Sequence, residues 1–271
     1  MIDKLGDRIK LYESLTCQER LLPGLPVVVR LDGVAFHTFT KGFERPYDVA
    51  LSQLMIDTTK FLVEETNARC GYTQSDEITL ILHSDNYKSQ IYFDGRIQKI
   101  LSVLPARASV FFNKELPLRL PKKASAVAVF DCRVFAVPSK EEAVNALIWR
   151  EKDATKNSIS MAAQSVYSHT ELQNKNSSMK QEMLFQKGVN WNDYPAFFKR
   201  GTYIQRKWTM RPFSVEEINQ LPEKHAARLD PNLMINRSVV EILSLPPIMQ
   251  VENKVGVIFN GEIPRKIEEK Q

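Results

Sequence analysis

The sequence lacks the long apolar segments of a membrane protein. Nothing among its 271 residues approaches about 18 consecutive apolar positions, the length of a candidate membrane helix. The first residues, Met1-Ile2-Asp3-Lys4, also lack the apolar core of a secretory signal. We therefore expect a soluble protein that works in the cytoplasm without a membrane partner.

Cysteine is scarce as well. Cys17, Cys70 and Cys132 are odd in number, widely separated and without a Cys-x-x-Cys pair. This pattern excludes a disulfide framework and a structural zinc site, so we expect reduced cysteines. Internal repeats and low-complexity segments are also missing, and the 43% hydrophobic and 25% charged composition is that of a globular protein.

The charge balance leans slightly to the basic side. A net charge of +5 is also compatible with a solvated surface, so the total identifies no partner. The distribution is more informative, since Lys199, Arg200, Arg206 and Lys207 are interleaved with aromatic residues. Basic and aromatic side chains together favour an anionic polymer, although helical core packing also explains such aromatics.

Apolar periodicity divides the first half of the chain into the order strand, helix, strand, strand, helix, strand. After a charged helix at 3–20, the predicted elements are a strand at 27–31, a helix from Pro46, strands at 70–73 and 78–82, a helix at 88–114 and a strand at 126–131. The strand at 27–31 is almost entirely apolar, which indicates burial on both faces. We therefore predict an α+β fold with a ferredoxin-like βαββαβ sheet, the order of polymerase palms, covered by helices.

The second half is less regular. A long helix is predicted from Ser139, helix with polar breaks at 159–188, and a short strand at 255–259. We expect a palm-like domain at 1–138 and a helical and mixed extension at 139–271 packed on it.

Acidic residues occur where predicted strands end. Asp32 follows the first strand, and Asp76 and Glu77 lie at the tip of the hairpin that joins the next two. If these strands are neighbours, Asp32 and Asp76 face each other, and Gly33 leaves the backbone open to a phosphate and its Mg²⁺. Such a pair suits two-metal phosphoryl transfer, whereas Asp-Gly alone is also a common turn. Glu77 fits a third ligand, a supporting residue or a solvated turn residue.

Several cations could meet phosphates. Arg96 and Lys99 are three positions apart on a predicted helix and share a face, which fits either a triphosphate grip or a solvated surface. Lys41 follows Asp32 in a loop, and Arg133 follows the fourth strand. His37 is a lone histidine, a residue type that is more often structural than catalytic.

Taken together, these motifs resemble the tRNA(His) guanylyltransferase superfamily of 3′-to-5′ RNA polymerases. The matching segments are Val29-Arg30-Leu31-Asp32-Gly33, Phe36-His37-x-Phe39, Gln74-Ser75-Asp76-Glu77, Arg96-x-x-Lys99, Phe130-Asp131-x-Arg133, Trp149-Arg150-x-x-Asp153 and Asn157. The resemblance covers roughly residues 5 to 210. It implies that Asp32, Asp76 and Glu77 are catalytic, and that Asp32, the Gly33 carbonyl and Asp76 bind two Mg²⁺ ions.

The same resemblance implies the binding partners. Expected nucleotide-binding residues are Asp32, Gly33, Val34, Ala35, Phe36, His37, Lys41, Ser75, Asp76, Arg96, Lys99, Arg133 and Asn157. The implied activity adds nucleotides, preferably GTP, to the 5′ end of tRNA after activation by ATP or GTP. The implied assembly is a homotetramer, a dimer of dimers, with the extension contacting tRNA through Lys199, Arg200, Arg206 and Lys207.

One segment departs from the eukaryotic pattern. Thr155-Lys156-Asn157-Ser158 stands where eukaryotic members have His-Ile-Asn-Asn. Because that motif is tied to the choice of tRNA(His), the chain looks more like the bacterial and archaeal guanylyltransferase-like branch, whose members resemble tRNA 5′-end repair enzymes.

Two other functions use related folds. A nucleotide cyclase would keep the palm and its metals, but the chain lacks a Gly-Gly-Asp/Glu-Glu-Phe signature. A non-catalytic RNA-binding domain of the RRM type would need exposed aromatics on its central strands, whereas these strands carry Val, Leu, Ile and acids.

Overall fold

The fold is built on one antiparallel sheet. A computed structural model describes residues 4–230 and 232–267. Its strands are β1 (Val27–Gly33), β2 (Cys70–Gln74), β3 (Glu77–Leu82), β4 (Phe130–Ala136), β5 (Thr202–Pro212) and β6 (Met234–Leu243). They lie in the order β4-β1-β3-β2-β5-β6. In the first four strands, β3 separates β1 from β2 and β1 separates β3 from β4, so the predicted split βαββαβ arrangement is confirmed.

Helices cover both faces of this sheet. Those in the described residues are α1 (Lys4–Cys17), α2 (Phe36–Phe39), α3 (Val49–Thr66), α4 (Ile97–Arg119), α5 (Lys140–Gln164), α6 (His169–Leu172), α7 (Ser177–Gln186), α8 (Ala196–Arg200), α9 (Val215–Gln220), α10 (Ala226–Leu229) and α11 (Lys254–Asn260). Side-chain caps start two of the long ones: the Asp48 carboxylate accepts from the Leu51 amide at 3.0 Å at the start of α3, and Ser139 caps α5. None of the described helices is long and apolar enough to cross a membrane.

Strand β1 is buried on both faces, as its composition predicted. Val27, Val29 and Leu31 pack with α3 and α4, because alternate side chains point to the same face. Val28 belongs to the opposite core, which α5 and α11 complete. With side chains 0–2% exposed at these four positions, the strand gives Asp32 and Gly33 at its end a rigid support.

The boundaries of several elements differ from prediction. The fourth strand occupies 130–136 and not 126–131, because β4 takes its register from β1, where Gly33 pairs with Phe130 and Val27 with Ala136. The second covering helix runs at 97–119 and not 88–114, after a 3₁₀ turn at 92–95. The loop after Asp32 contains the short helix α2.

The prediction of a strand at 255–259 is wrong. Val257, Ile258 and Phe259 lie in helix α11 and are buried in the core on the α5 face. A short apolar run does not distinguish a buried helix from a buried strand, and here tertiary packing decides for the helix.

Strands β5 and β6 were not predicted. Residues 202–205 of β5 pair with β2 and extend the palm sheet, while the rest of β5 pairs with β6 alone. A two-stranded extension has no buried face along most of its length, so it leaves little apolar alternation in the sequence. The division at residue 138 stays a prediction, since β5 joins the same sheet as the first four strands.

Candidate active site

A row of carboxylates crosses the end of the sheet. In the strand register, Asp32 of β1 lies opposite Glu77 of β3 on one side and opposite Asp131 of β4 on the other. Residues directly opposite each other in antiparallel strands project from the same face, which is the face that α5 covers. Sheet pairing therefore brings together acids from three separate segments.

The hairpin between β2 and β3 adds Asp76 to this row. The turn is tight, and Ser75 takes a left-handed φ of 54°. The Gly33 amide donates to the Asp76 carbonyl at 3.1 Å, which ties the hairpin tip to the end of β1. Asp32 and Asp76 consequently line the same cavity, as the sequence suggested for neighbouring strands.

The electrostatics of Asp76 reflect this crowding. Burial raises the pKa of its carboxyl above the ordinary 3.8, a hydrogen bond from Ser75 at 3.0 Å opposes the shift, and the charge of Asp32 adds to it. Two partly buried carboxylates side by side favour the arrival of a cation.

Gly33 is required for packing as well as for access. A Cβ at this position would come within 2.2 Å of the Phe36 ring, which is 3% exposed. Phe36 in turn packs on Phe112 of α4 and Phe130 of β4, with ring centroids 5.8 and 5.3 Å away. The glycine lets this aromatic cluster support the strand end directly beneath Asp32.

Glu77 is held by an arginine that the acidic motif alone did not indicate. Arg150 of α5 donates to both Glu77 carboxylate oxygens, Nε to Oε1 at 2.5 Å and Nη2 to Oε2 at 2.6 Å. Burial raises the pKa of Glu77, and the charge of Arg150 works against that shift. Arg150 also approaches Asp153 at 3.2 Å. The ion pair fixes the Glu77 carboxylate at the position opposite Asp32 in the strand register.

The acids open into a cavity of about 390 Å³ between the sheet and α5. Its lining is Asp32, Gln74, Ser75, Asp76, Glu77, Arg150, Asn157, Ser160, Met161 and Gln164. Ser75 and Asn157, both predicted to bind nucleotide, are among these residues.

A second cavity of about 330 Å³ lies next to the first. It is lined by His37, Thr40, Lys41, Phe43, Arg45, Pro46, Met161 and Gln164. Since Met161 and Gln164 border both cavities, the acidic and the basic spaces are neighbours. His37 is exposed and contacts Thr38, with Nε2 and Oγ1 3.0 Å apart. A nucleotide with its phosphates near the acids and the basic loop fits this pair of cavities.

The remaining predicted nucleotide ligands lie in different places. Val34 and Ala35 are exposed directly after Gly33, whereas Phe36 is a core residue. Arg133 pairs with Arg30 across β4 and β1, one row away from Asp131 on the same face. It is therefore close to the carboxylates but outside the two cavities.

Arg96 and Lys99 lie at the opposite end of the sheet. Arg96 is the N-cap residue of α4 and Lys99 lies in its first turn, whereas Phe112 of that helix packs near the catalytic end. Fifteen residues of helix separate Ile97 from Phe112, which is about 22 Å at 1.5 Å per residue. Within one chain these two cations and Asp32 do not share a cavity.

The cations predicted to contact tRNA have partners inside the protein. Lys199 donates to the Asn192 carbonyl and lies 5.5 Å from the Trp191 ring, and Lys207 pairs with Glu241 at 2.5 Å. Arg206 donates to the Ser238 hydroxyl and to the end of α3 at the Val63 carbonyl. Arg200 is half-buried beside a cavity that contains Glu151.

The α5 wall of the cavity was not predicted as a whole, although Asn157 on it was expected to bind nucleotide. Arg150, Asp153, Asn157, Ser160 and Gln164 recur every three or four positions along α5. That spacing places them on one helix face. Polar residues that recur at this spacing on a long helix could have indicated this wall of the site.

The donors at the strand end fit a metal bound through oxygen. Two carboxylates and a backbone carbonyl, completed by phosphate oxygens and water, suit a hard divalent cation. In the part of the chain that the structure describes, no three His, Cys, Asp or Glu side chains form a ready-made metal cage. A cation held by Asp32 and Asp76 would therefore rely on the nucleotide for further ligands.

The fold and the site together define an enzyme of the palm-type nucleotidyltransferase class. The RRM alternative is not favoured, because α5 and α11 cover the sheet face that such a domain would use for RNA.

Comparison with known proteins agrees. Residues 6–138 match the family model described as tRNAHis guanylyltransferase. The solved structure of a bacterial tRNA(His) guanylyltransferase-like protein in complex with ATP is 40% identical, with a TM-score of 0.71 over 74% of this chain and 88% of that chain. A second such bacterial structure, in complex with GTP, is 32% identical, with a TM-score of 0.71 over 93% and 99%. The tRNA(His) guanylyltransferase of Schizosaccharomyces pombe is 27% identical over 87% of this chain and 96% of its own length.

The chain therefore belongs to the tRNAHis guanylyltransferase family. The higher identity to the bacterial structures supports the predicted guanylyltransferase-like branch, and the cyclase alternative is not favoured. Nucleotidyl transfer in this family carries a general dependence on metal.

Proposed function

We propose that this enzyme adds nucleotides, preferably GTP, to the 5′ end of tRNA in the 3′-to-5′ direction. The observation that carries the proposal is the convergence of Asp32 and Asp76 on a cavity that adjoins the basic space around Lys41. Relatives solved with ATP and with GTP support both nucleotides as ligands. In the first stage ATP or GTP activates a tRNA 5′-monophosphate and pyrophosphate leaves. In the second, the 3′-hydroxyl of the incoming nucleotide displaces the activating nucleoside monophosphate.

The metal that we propose is a pair of Mg²⁺ ions. The Asp32 and Asp76 carboxylates and the Gly33 carbonyl would hold them. Bound there, the ions would lower the pKa of an attacking hydroxyl and neutralise charge on the leaving phosphate.

The protein supplies position and countercharge. Arg150 fixes the Glu77 carboxylate through two hydrogen bonds, so the acid beside Asp32 cannot rotate away. Lys41 and His37 would bind nucleotide phosphates from the loop side, and Ser75 and Asn157 from the cavity. Arg133 would meet a phosphate from the β4 side. Each of these contacts orients the reacting phosphorus for displacement.

Arg96 and Lys99 remain proposed phosphate ligands with a specific requirement. Because α4 holds them about 22 Å from the catalytic end of their own chain, a second copy would have to supply them. This requirement supports the proposal of a homotetramer arranged as a dimer of dimers. The molar mass of the protein, measured by light scattering after size-exclusion chromatography, tests that assembly.

For the tRNA, we propose contacts from the extension at 139–271 through Lys199, Arg200, Arg206 and Lys207. The cytoplasm is the compartment that we propose for this reaction. The Thr155-Lys156-Asn157-Ser158 segment, which lacks the histidine of the eukaryotic motif, supports truncated tRNAs as substrates beside tRNA(His).

The decisive experiment incubates the protein with Mg²⁺, ATP, labelled GTP and a tRNA that lacks its first nucleotide. We expect an RNA that is longer at its 5′ end. Asp32→Ala and Asp76→Ala should each lower the rate by more than about 100-fold. Substitution of residues that only support the ligands of a metal site already lowers metal affinity or activity by about 10–100-fold. Both variants should keep the melting temperature of the wild type within a few degrees. A cyclic nucleotide product, or full activity in either variant, would contradict the assignment.

A further inference from the structure

We propose that an open shelf of the sheet beside the acidic cavity binds the 5′ end of the RNA. This inference rests on the proposed function and locates the surface on which its substrate lies. The shelf consists of Arg30 of β1, Arg133 and Phe135 of β4, and Trp149 of α5.

The strand register places the shelf on the catalytic face. Arg30 pairs with Arg133, and Val28 pairs with Phe135, so these side chains project on the same side as Asp32. Helix α5 buries Val28 but does not reach over β4 at the sheet edge. Phe135 is therefore 44% exposed, and Trp149 on the flank of α5 is 56% exposed.

The shelf is continuous with the catalytic groups. Arg30 precedes Asp32 by two residues, about 7 Å along the strand. Trp149 directly precedes Arg150, which holds Glu77. An RNA end lying on the shelf would thus bring its terminal phosphate to the row of carboxylates, while the two cavities on the other side of Asp32 take the nucleotide.

The chemistry of the shelf matches a nucleic acid. The Arg30 guanidinium lies 5.6 Å from the centroid of the Trp149 ring, and that of Arg150 lies 4.6 Å away. The Arg133 side chain is 55% exposed and reaches Asp131 only at 4.0 Å, the outer limit of an ion pair. Exposed rings with cations over or beside them combine base stacking with neutralisation of phosphates, as surfaces that bind single-stranded nucleic acids do.

Arg30 and Arg133 give the shelf a positive charge, which favours the anionic backbone of RNA as its occupant. Lys199, Arg206 and Lys207 already have hydrogen-bonded or ionic partners within the chain. Arg133 has only its weak ion pair with Asp131, so less interaction energy is lost when its side chain rotates toward a phosphate. The shelf is accordingly the part of the catalytic face where a cation and an exposed ring are both available.

Substitutions test this surface. Phe135→Ala and Trp149→Ala should each weaken the binding of an acceptor-stem RNA hairpin with a 5′-monophosphate by about tenfold, the effect of losing one stacked base. Trp149→Phe should restore most of that loss, because it retains a ring. Arg133→Gln should reduce the slope of log affinity against log salt by about 0.7–0.9, the change expected for one phosphate contact. The affinity for GTP should stay within twofold in the Phe135 and Trp149 variants.

Phe185→Ala is the matched control, because Phe185 is a 68% exposed phenylalanine on α7, away from the shelf. It should bind the hairpin as the wild type does. If the shelf variants bind as tightly as this control while the wild type extends tRNA, the shelf is wrong and the proposed function stands. If the wild type neither binds nor extends RNA, the proposed function fails together with the shelf.

Tryptophan emission provides a direct readout. The chain has 3 tryptophans, so a Trp191→Phe, Trp208→Phe double variant leaves Trp149 as the single reporter. Saturating hairpin should quench its emission, and GTP alone should not. Quenching by GTP without further change on adding RNA would assign the shelf to a free nucleotide and overturn the proposal.

Discussion

Asp32, Asp76 and Glu77 form a row that the folded chain supports unequally. Glu77 receives two hydrogen bonds from Arg150, whereas Asp76 receives one from Ser75. Burial nevertheless raises the pKa of both Asp76 and Glu77. At the residue scale, the site is thus preorganised for a cation. Because Arg150 binds Glu77, the Asp76 side of the row is available to a metal and to phosphates.

Another buried acid permits a test that is independent of any metal. Glu151 is 6% exposed, and it accepts hydrogen bonds from the Tyr203 hydroxyl at 2.8 Å and the Ile248 amide at 3.0 Å. Burial raises its pKa above the ordinary 4.5, against those two hydrogen bonds and the charge of Arg200. Between about pH 4.5 and the raised pKa, the Glu151 carboxyl is therefore protonated to a greater extent in the folded state than in the unfolded state.

Stability should fall as the pH rises through that window, and the loss should be complete above the raised pKa. We expect Glu151→Gln to remove this part of the pH dependence, because the amide does not ionise. Urea denaturation at a series of pH values measures it. An unchanged slope in the variant would show that Glu151 titrates equally in both states.

At the scale of elements, helix α5 has two tasks. Its apolar face, including Val144 and Leu147, completes the core on one side of the sheet. Its polar stripe, from Arg150 to Gln164, forms a wall of the acidic cavity. The contact between Arg150 and Glu77 contributes both to packing and to the cavity wall, because it fixes α5 against β3 at the catalytic end.

A double-mutant cycle measures this contact. Side chains of Arg150 and Glu77 are 14% and 17% exposed, so removing one partner leaves a largely buried charge. We expect Arg150→Ala to lower the free energy of unfolding by about 3 kcal/mol, and the double variant with Glu77→Gln to be less destabilised than the sum of the two.

Asp153→Asn is the control for that cycle. Asp153 lies 3.2 Å from Arg150 but is 40% exposed, so its loss should cost no more than about 1 kcal/mol. Strict additivity of Arg150→Ala and Glu77→Gln would mean that the ion pair does not stabilise the position of α5.

At the scale of the whole molecule, the net charge of +5 should make the affinity for tRNA depend on salt. Binding of tRNA should weaken linearly in log affinity against log salt, with a slope of about 0.9 per neutralised phosphate. Charge reversal at Lys199 and Arg200 should reduce that slope and the affinity for tRNA, while the affinity for GTP stays unchanged. Filter binding at several salt concentrations measures both. A slope equal to that of the wild type would remove this surface from the tRNA interface.

Much of the palm could be read from the sequence because its signals are local. The run at 27–31, the helical spacing from Ala50 to Leu62 and the tight turn at Ser75 each depend on neighbours in the chain. The ends of β4 and the helical state of 254–260 were misjudged, since pairing with β1 and burial against α5 decide them. Strands β5 and β6 gave no clear signal, because most of their length has no buried face.

The order of the palm elements and the acids at their ends follow from local sequence, because periodicity and turn chemistry act over a few residues. Which side chains meet depends on the packing of distant segments. That packing joins Glu77 to Arg150 across 73 positions, places Asp32 between Glu77 and Asp131, and separates Arg96 and Lys99 from all of them. These relations follow from strand register and from the length of α4. Both depend on how distant segments pack, and no single segment of the chain encodes that packing.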